Sequence, residues 1–178
     1  MLYTRRGDDG SSGLFGTTER FSKSSPVYEA LGTVDELTSL LGLCRAQARG
    51  QRDELAVAAA LEAAQECLFT IQAEVAGAPK SLTPLQVKAL EETIGRWEDG
   101  MARPRGFVIP GATPFSALCD YARAVARRAE RSVARLDAAA NVSPESRAYL
   151  NRLSSFLYTL ARYAASRAGV KESSPTYS

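Results

Sequence analysis

From about Val27 to the region of Arg167, apolar residues recur every three or four positions, the period of a helix turning about 100° per residue. Val34, Leu37, Leu40, Leu41 and Cys44 share one face of a first segment that runs to about Arg49. A second, from about Arg52 to Val75, carries Leu55, Leu61, Leu68, Ile71 and Val75 among many alanines. A third runs from Pro84 to about Glu98 and opens on Thr83-Pro84-Leu85-Gln86, which has the form of a capping box. After a break at Gly106 to Gly111, Thr113 to Leu136 set Leu118, Ala122, Val125, Ala126, Ala129, Val133 and Leu136 on one arc. Thr113 reads as the N-cap there and Pro114 as the first helical residue. The last segment starts at Ser143-Pro144 and aligns Leu150, Leu153, Leu157, Leu160, Ala161 and Ala164. Nothing alternates with the period of two that a sheet requires. Five helices on short connections predict an all-α bundle. The stretch AVAAALEAA lets helices approach closely and predicts self-association.

Residues 1–26 hold four glycines and many hydroxyls without a sustained period, and read as loop with a short extended start at Leu2-Tyr3-Thr4. The polar end KESSPTYS, within residues 169–178, reads as a frayed tail. The 178 residues are then one domain: a glycine-rich loop over 1–26, a helical bundle over 27–168 and the tail. A net charge of +2 argues against general attraction to nucleic acid or membrane, and no apolar run approaches the roughly 20 residues of a span. With no apolar signal core at the N-terminus, the expected compartment is the cytoplasm. Cys44, Cys67 and Cys119 sit inside helical patterns without CxxC spacing and read as buried hydrophobes in a reducing setting. The chain has no histidine, which removes Ser-His and Cys-His dyads, His-based zinc sites and the Glu-x-x-His di-iron pattern. Any chemistry must then work through positioning, charge, carboxylates, arginines and hydroxyls.

Five places carry candidate chemistry. Arg123, Arg127 and Glu130 fall together at contact spacing on the fourth helix, and Arg128, Arg131 and Arg135 widen that arc. Five arginines with one acid in thirteen residues suit either a solvated basic face or a site for phosphate or carboxylate. Thr4-Arg5-Arg6-Gly7-Asp8-Asp9-Gly10-Ser11-Ser12-Gly13 is a candidate phosphate cradle, though neither a Walker loop nor a Rossmann fingerprint. Leu14-Phe15-Gly16 in its midst suggests that the segment packs. Asp35 and Glu36, taken as lying near a helix start, suit either the helix dipole or an arginine across the bundle. Asn151 reads as a buried hydrogen-bonding group or a surface residue. Phe107 reads by default as core, and otherwise as an aromatic at the mouth of the face the arginine helix presents.

The blocks TRRGDDGSSGLFG, ERFSK, EALGTVDELTSLLGL, FVIPG, ARAVARRAER and YLNRLSSFLYTLARY together, in that order, resemble the PduO-type ATP:cob(I)alamin adenosyltransferases. The resemblance spans nearly the whole chain and weakens over about residues 50–105 and in the tail. It implies a five-helix bundle, a homotrimer with active sites between subunits, and transfer of the 5′-deoxyadenosyl group of ATP to cobalt with release of triphosphate. It also implies magnesium with the ATP, a flavin-dependent reductase for the cobalt, and an adenosylcobalamin-dependent acceptor enzyme. Position by position, Thr4, Arg5, Arg6, Gly7, Asp8, Gly10, Ser11, Ser12 and Lys23 would bind ATP. Arg123 and Arg127 would hold the triphosphate, Glu130 would orient the nucleotide with its magnesium, and Asn151 would complete that wall. Asp35 would pair with Arg123 across a subunit boundary and border the cobalamin, whose lower face Phe107 would cover. Asp9 departs from the lysine common in the family's Gly-Asp-Lys-Gly run, and Ser12 from a threonine. An acid beside a triphosphate costs affinity unless Arg6 or a cation offsets it. Two readings of other kinds stay open at this point. One is a trimeric corrinoid or nucleotide carrier without turnover, motivated by Asp9. The other is a structural bundle whose basic face binds an acidic partner.

Overall fold

The computed structural model describes residues 3–51, 53–104, 106–136 and 142–177. It contains five long helices: α1 (Pro26–Gln47), α2 (Glu54–Val75), α3 (Pro84–Asp99), α4 (Pro114–Ala134) and α5 (Pro144–Arg167). Side by side they run α2, α1, α4, α5, α3. Leu2 and Arg52, named above as an extended start and a helix start, lie outside the described residues. α1 opens on Ser25-Pro26, a fourth use of the hydroxyl-proline start, since proline at the first position gives up an N–H that no helix uses. The Thr83–Gln86 box forms, with Thr83 N–H donating to Gln86 Oε1 at 2.9 Å. Thr113 caps α4 by accepting from Ser116 N–H at 3.0 Å.

The apolar faces read from the sequence meet in the core, where Leu37, Leu41, Leu61, Leu68, Leu153 and Leu157 are fully buried. Each such leucine contributes about 1.5–3 kcal/mol over its exposed state. Leu55 is an exception at 85% exposure. It stands six residues before Leu61, about 120° round the helix, and Val57 takes the core position instead. Close approach of α1 and α2 is set at Gly42, where an added Cβ would lie 3.2 Å from Gln65 Nε2. That amide donates to Thr38 O at 3.0 Å. Trp97 of α3 lies against Phe156 and Tyr163 of α5, with ring centroids 4.9 and 5.9 Å away. Buried Glu74 of α2 accepts from the Ser143 N–H at 2.8 Å and from the Ser146 hydroxyl, which fixes the start of α5.

Two departures from the sequence reading shape the site. The first is a small antiparallel hairpin, β1 (Ser11–Gly13) with β2 (Arg20–Ser22), in a region expected to be loop. Its three-residue strands are too short to show an alternation. Tyr3 and Thr4 form no strand. The second is the segment after α5. Gly169, at φ +70°, ends the helix in a Schellman turn, with Val170 N–H on Ala165 O and Gly169 N–H on Ser166 O. That turn sends the chain back along the bundle. The tail is not frayed, because Ile109 N–H donates to Ser173 O at 2.8 Å and Glu172 accepts from Arg162 Nε at 2.6 Å.

Candidate functional site

The glycine-rich segment is tied into one unit by the two basic residues that follow it. Arg20 lies across from Gly13 in the hairpin register. Its Nε donates to the Ser11 hydroxyl at 2.7 Å and its terminal nitrogen to Ser11 O at 2.9 Å and to Arg6 O. Lys23 Nζ donates to Gly7 O at 2.8 Å, close enough that a Cβ at Gly7 would meet it at 2.8 Å. Gly10, at φ +79°, supplies a conformation that side chains disfavour. The hairpin is seated by Phe15 N–H on Ala76 O at 3.0 Å, at the end of α2. Asp9 turns inward on this loop. Its Oδ1 accepts from Ser11 N–H and Oγ at 2.9 and 2.7 Å, with Arg20 3.8 Å away. The Ser11 hydrogen bonds, then Arg20, hold its carboxyl below the ordinary range, although burial opposes them. The cation that offsets Asp9 is therefore Arg20 and not Arg6. Sequence reasoning missed Arg20, whose only signal is a strand register too short to read.

On α4, Arg127 is exposed and forms no ion pair among the described residues. Arg123 is half-buried beside Asp120, 3.9 Å from Nε to Oδ1, and its Nε lacks a hydrogen-bond partner. Glu130 Oε1 accepts from Asn151 Nδ2 at 2.8 Å. Asn151 Oδ1 in turn accepts from Arg152 at 3.0 Å, and Arg152 Nε donates to Glu91 at 3.0 Å. Asn151 is thus a surface residue whose two amide atoms are both in use. Arg128, by contrast, reaches Glu36 on α1 and is neutralised. Asp35 and Glu36 lie more than two turns into α1, so the dipole reading for them fails. Asp35 lines an open groove with Tyr28, Leu31 and Phe69, away from Arg123. Asp120 is the carboxylate that Arg123 meets within the chain, a residue not singled out from the sequence.

Phe107 is 77% exposed, which corrects its default reading as core. It borders a cavity of about 680 Å³ together with Val108, Arg162, Glu172, Pro175 and Tyr177. Beneath that cavity lies an ion cluster that the sequence reading also missed. Arg162 is 2% exposed, donates to both oxygens of Asp120 at 3.1 and 2.5 Å, and lies 4.9 Å from the Tyr158 ring centroid. Burial works to lower the Arg162 pKa, but Asp120 and then Glu172 hold it above its ordinary value. Burial likewise pushes the Glu172 carboxyl up, against the pull of Arg162. Cys44, Cys67 and Cys119 are buried free thiols, as expected. Contact with Cys44 and then burial raise the Cys119 pKa, and burial raises that of Cys67, so neither is set up as a nucleophile.

Three surfaces are therefore built on one chain: a tied hairpin, an under-partnered arginine face closed by Asn151, and a cavity walled by Phe107 and the tail. No group of three or more acids or thiols among the described residues is arranged to hold a metal. No described helix is long and apolar enough to cross a membrane.

A family model described as cobalamin adenosyltransferase matches residues 2–164. A corrinoid adenosyltransferase of Citrobacter freundii is 39% identical over 168 residues, covering 90% of this chain and 93% of that protein. The corrinoid adenosyltransferase PduO of Salmonella typhimurium is 38% identical over 168 residues, 90% of this chain but 48% of that protein, so the chain spans about half its length. Among solved structures, a variant PduO-type ATP:corrinoid adenosyltransferase from Lactobacillus reuteri, complexed with cobalamin and ATP, superposes with a TM-score of 0.90. It is 25% identical, covering 99% of this chain and 97% of that one.

Proposed function

Because the chain belongs to the cobalamin adenosyltransferase family, we propose that it transfers the 5′-deoxyadenosyl group of ATP to the cobalt of a reduced corrinoid, releasing triphosphate. The observation that carries this reading is the α4 face. Arg127 is exposed and forms no ion pair among the described residues, Arg123 is incompletely paired, and Glu130 is oriented by Asn151. Cobalt(I) is the nucleophile, so the protein needs no activated serine or cysteine. It must stabilise the charge of the departing triphosphate and align the 5′ carbon, the work of preorganised donors. Arg123 and Arg127 take the triphosphate. The hairpin residues Thr4 to Ser12, with Lys23, close over the nucleotide, and Asp9 does not repel it because Arg20 and Ser11 already engage the carboxyl.

Magnesium commonly binds through one or two carboxylates plus substrate phosphates. Glu130, oriented by Asn151, fits an ion that arrives with the ATP. The cavity beside Phe107 receives the corrinoid, and the exposed ring covers its lower face so that no donor raises the cobalt accepting orbital. Hairpin, arginine face and Asp35 lie on different parts of one chain. A homotrimer, in which one copy's Asp35 pairs with the next copy's Arg123, assembles them into complete sites. A flavin-dependent reductase supplies the electron that makes cobalt(I), and an adenosylcobalamin-dependent enzyme takes the product. Three unpaired thiols suit the reducing cytoplasm.

An anaerobic assay with ATP, magnesium and chemically reduced cobalamin tests the reading by following the light-sensitive absorbance of the cobalt–carbon product. Product from the parent and little from Arg127→Ala is the expected result. ATP binding without product would leave a carrier and refute the enzyme.

A further inference from the structure

Between the Phe107 cavity and the arginine face of α4 runs a line of four alternating charges. Glu172 of the tail accepts from Arg162 Nε at 2.6 Å, and Arg162 engages both oxygens of Asp120. Asp120 Oδ1 lies 3.9 Å from Arg123 Nε, one helical turn along α4. Arg162 and Asp120 are 2% and 4% exposed, so water cannot replace a partner that either one loses. The Arg123 Nε is buried and makes no hydrogen bond, which leaves Asp120 as the group that constrains it. Asp120 thus serves two guanidinium groups, and its division between them depends on what else Arg162 holds.

We propose that Asp120 and Arg162 are positioning residues that couple the seating of the C-terminal segment on the Phe107 cavity to the orientation of Arg123. With Glu172 in place, the two guanidinium groups are matched by two carboxylates, and Asp120 Oδ1 is shared between Arg162 at 3.1 Å and Arg123 at 3.9 Å. Without the Glu172 charge, Arg162 retains a single carboxylate. It then holds Asp120, already bidentate on its fork, more closely, where low dielectric makes the attraction strong, and the shared Oδ1 is drawn away from Arg123. A change at the cavity wall is thereby transmitted to the opposite face through contacts between charged groups. The coupling itself stands on geometry. Its functional meaning rests on the reading above, that the cavity takes the corrinoid and Arg123 the triphosphate.

The test is Glu172→Gln in the full chain, a change outside the helical core. Side-chain Nε–H resonances of the arginines are recorded without substrates. The coupling predicts that the Arg123 signal shifts and that its exchange with water rises about fivefold. Movement of the Arg162 signal with no change at Arg123 overturns it. In the adenosylation assay, Glu172→Gln should raise the KM for ATP about fivefold as well as the KM for corrinoid. Its effect should be less than additive with Arg123→Lys. A rise in the corrinoid KM alone would show that the line stops at Arg162 and also overturns the coupling. Failure of the parent to turn over would refute the functional reading, while the resonances would still decide the coupling.

Discussion

Arg162 and Arg127 carry the same guanidinium group on neighbouring helices and meet opposite fates. Arg162 is enclosed, with two carboxylates and a tyrosine face filling its surroundings. Arg127 is exposed and has no ion-pair partner among the described residues. A buried cation whose donors are taken holds a structure together, because removing it strands the acids around it. An exposed cation among like charges contributes little to folding and keeps its donors for a ligand. The state of its partners, more than the residue type, separates scaffold from site on these helices.

The sharpest way to break this contrast is to remove each cation in turn. Arg162→Ala leaves Asp120 and Glu172 facing an emptied, nearly dry space. Urea unfolding followed by circular dichroism should show a loss of about 3–5 kcal/mol. A loss below about 1 kcal/mol would erase the distinction between the two arginines.

Arg127→Ala should leave the unfolding midpoint almost unmoved, within about 0.5 kcal/mol. It should lower kcat in the anaerobic assay by about 10²- to 10³-fold, the usual cost of losing one preorganised donor to a developing anion. An intact kcat would return the arginine face to a solvated surface.

Phe107→Ala sharpens the same contrast with an uncharged residue. At 77% exposure its removal should change stability by less than about 0.5 kcal/mol. Activity should fall and a five-coordinate cobalt(II) spectrum should appear, because a lower ligand regains access to the metal. Intact activity with no five-coordinate spectrum would remove Phe107 from the lower face.

The smallest effect is expected at Asp9, an exposed acid partnered by Ser11 and Arg20. Its folded pKa is depressed, so the contacts it makes favour the folded hairpin above the ordinary carboxylate range. They are lost as pH falls through the lowered value. A carboxyl carbon NMR titration of Asp9 should give a midpoint below that of free aspartate, and Ser11→Ala should raise it. A midpoint at or above the free value would mean that Asp9 is unpartnered in solution.

Much of the scaffold was readable from residue order because helices are local. Apolar spacing and the hydroxyl-proline starts at Thr83, Thr113 and Ser143 marked helix ends within a few residues of those observed. Leu55 was misplaced because a leucine off the arc looks like one on it until the helix phase is known. The arginine face was legible as well, since Arg123, Arg127 and Glu130 share one helix at contact spacing, and Asn151 does meet Glu130. Arg20 was missed because its role depends on a three-residue strand pairing. Arg162 was missed because a lone arginine in an apolar run gives no hint of its partners. Those stand 42 and 10 residues away, on α4 and in the tail.

By itself, then, the sequence determined which segments are helical, which faces are apolar, and that chemistry without histidine must rest on arginines, carboxylates and backbone. These follow from spacing along one helix and from composition, which need no knowledge of neighbours. Only the tertiary structure decided which charges are spent on one another. It paired Arg128 with Glu36, enclosed Arg162 between Asp120 and Glu172, folded the tail against Ile109, and left Arg127 open. An ion pair joins residues distant in the chain, and its strength depends on the burial of both. Both properties arise only when the helices pack.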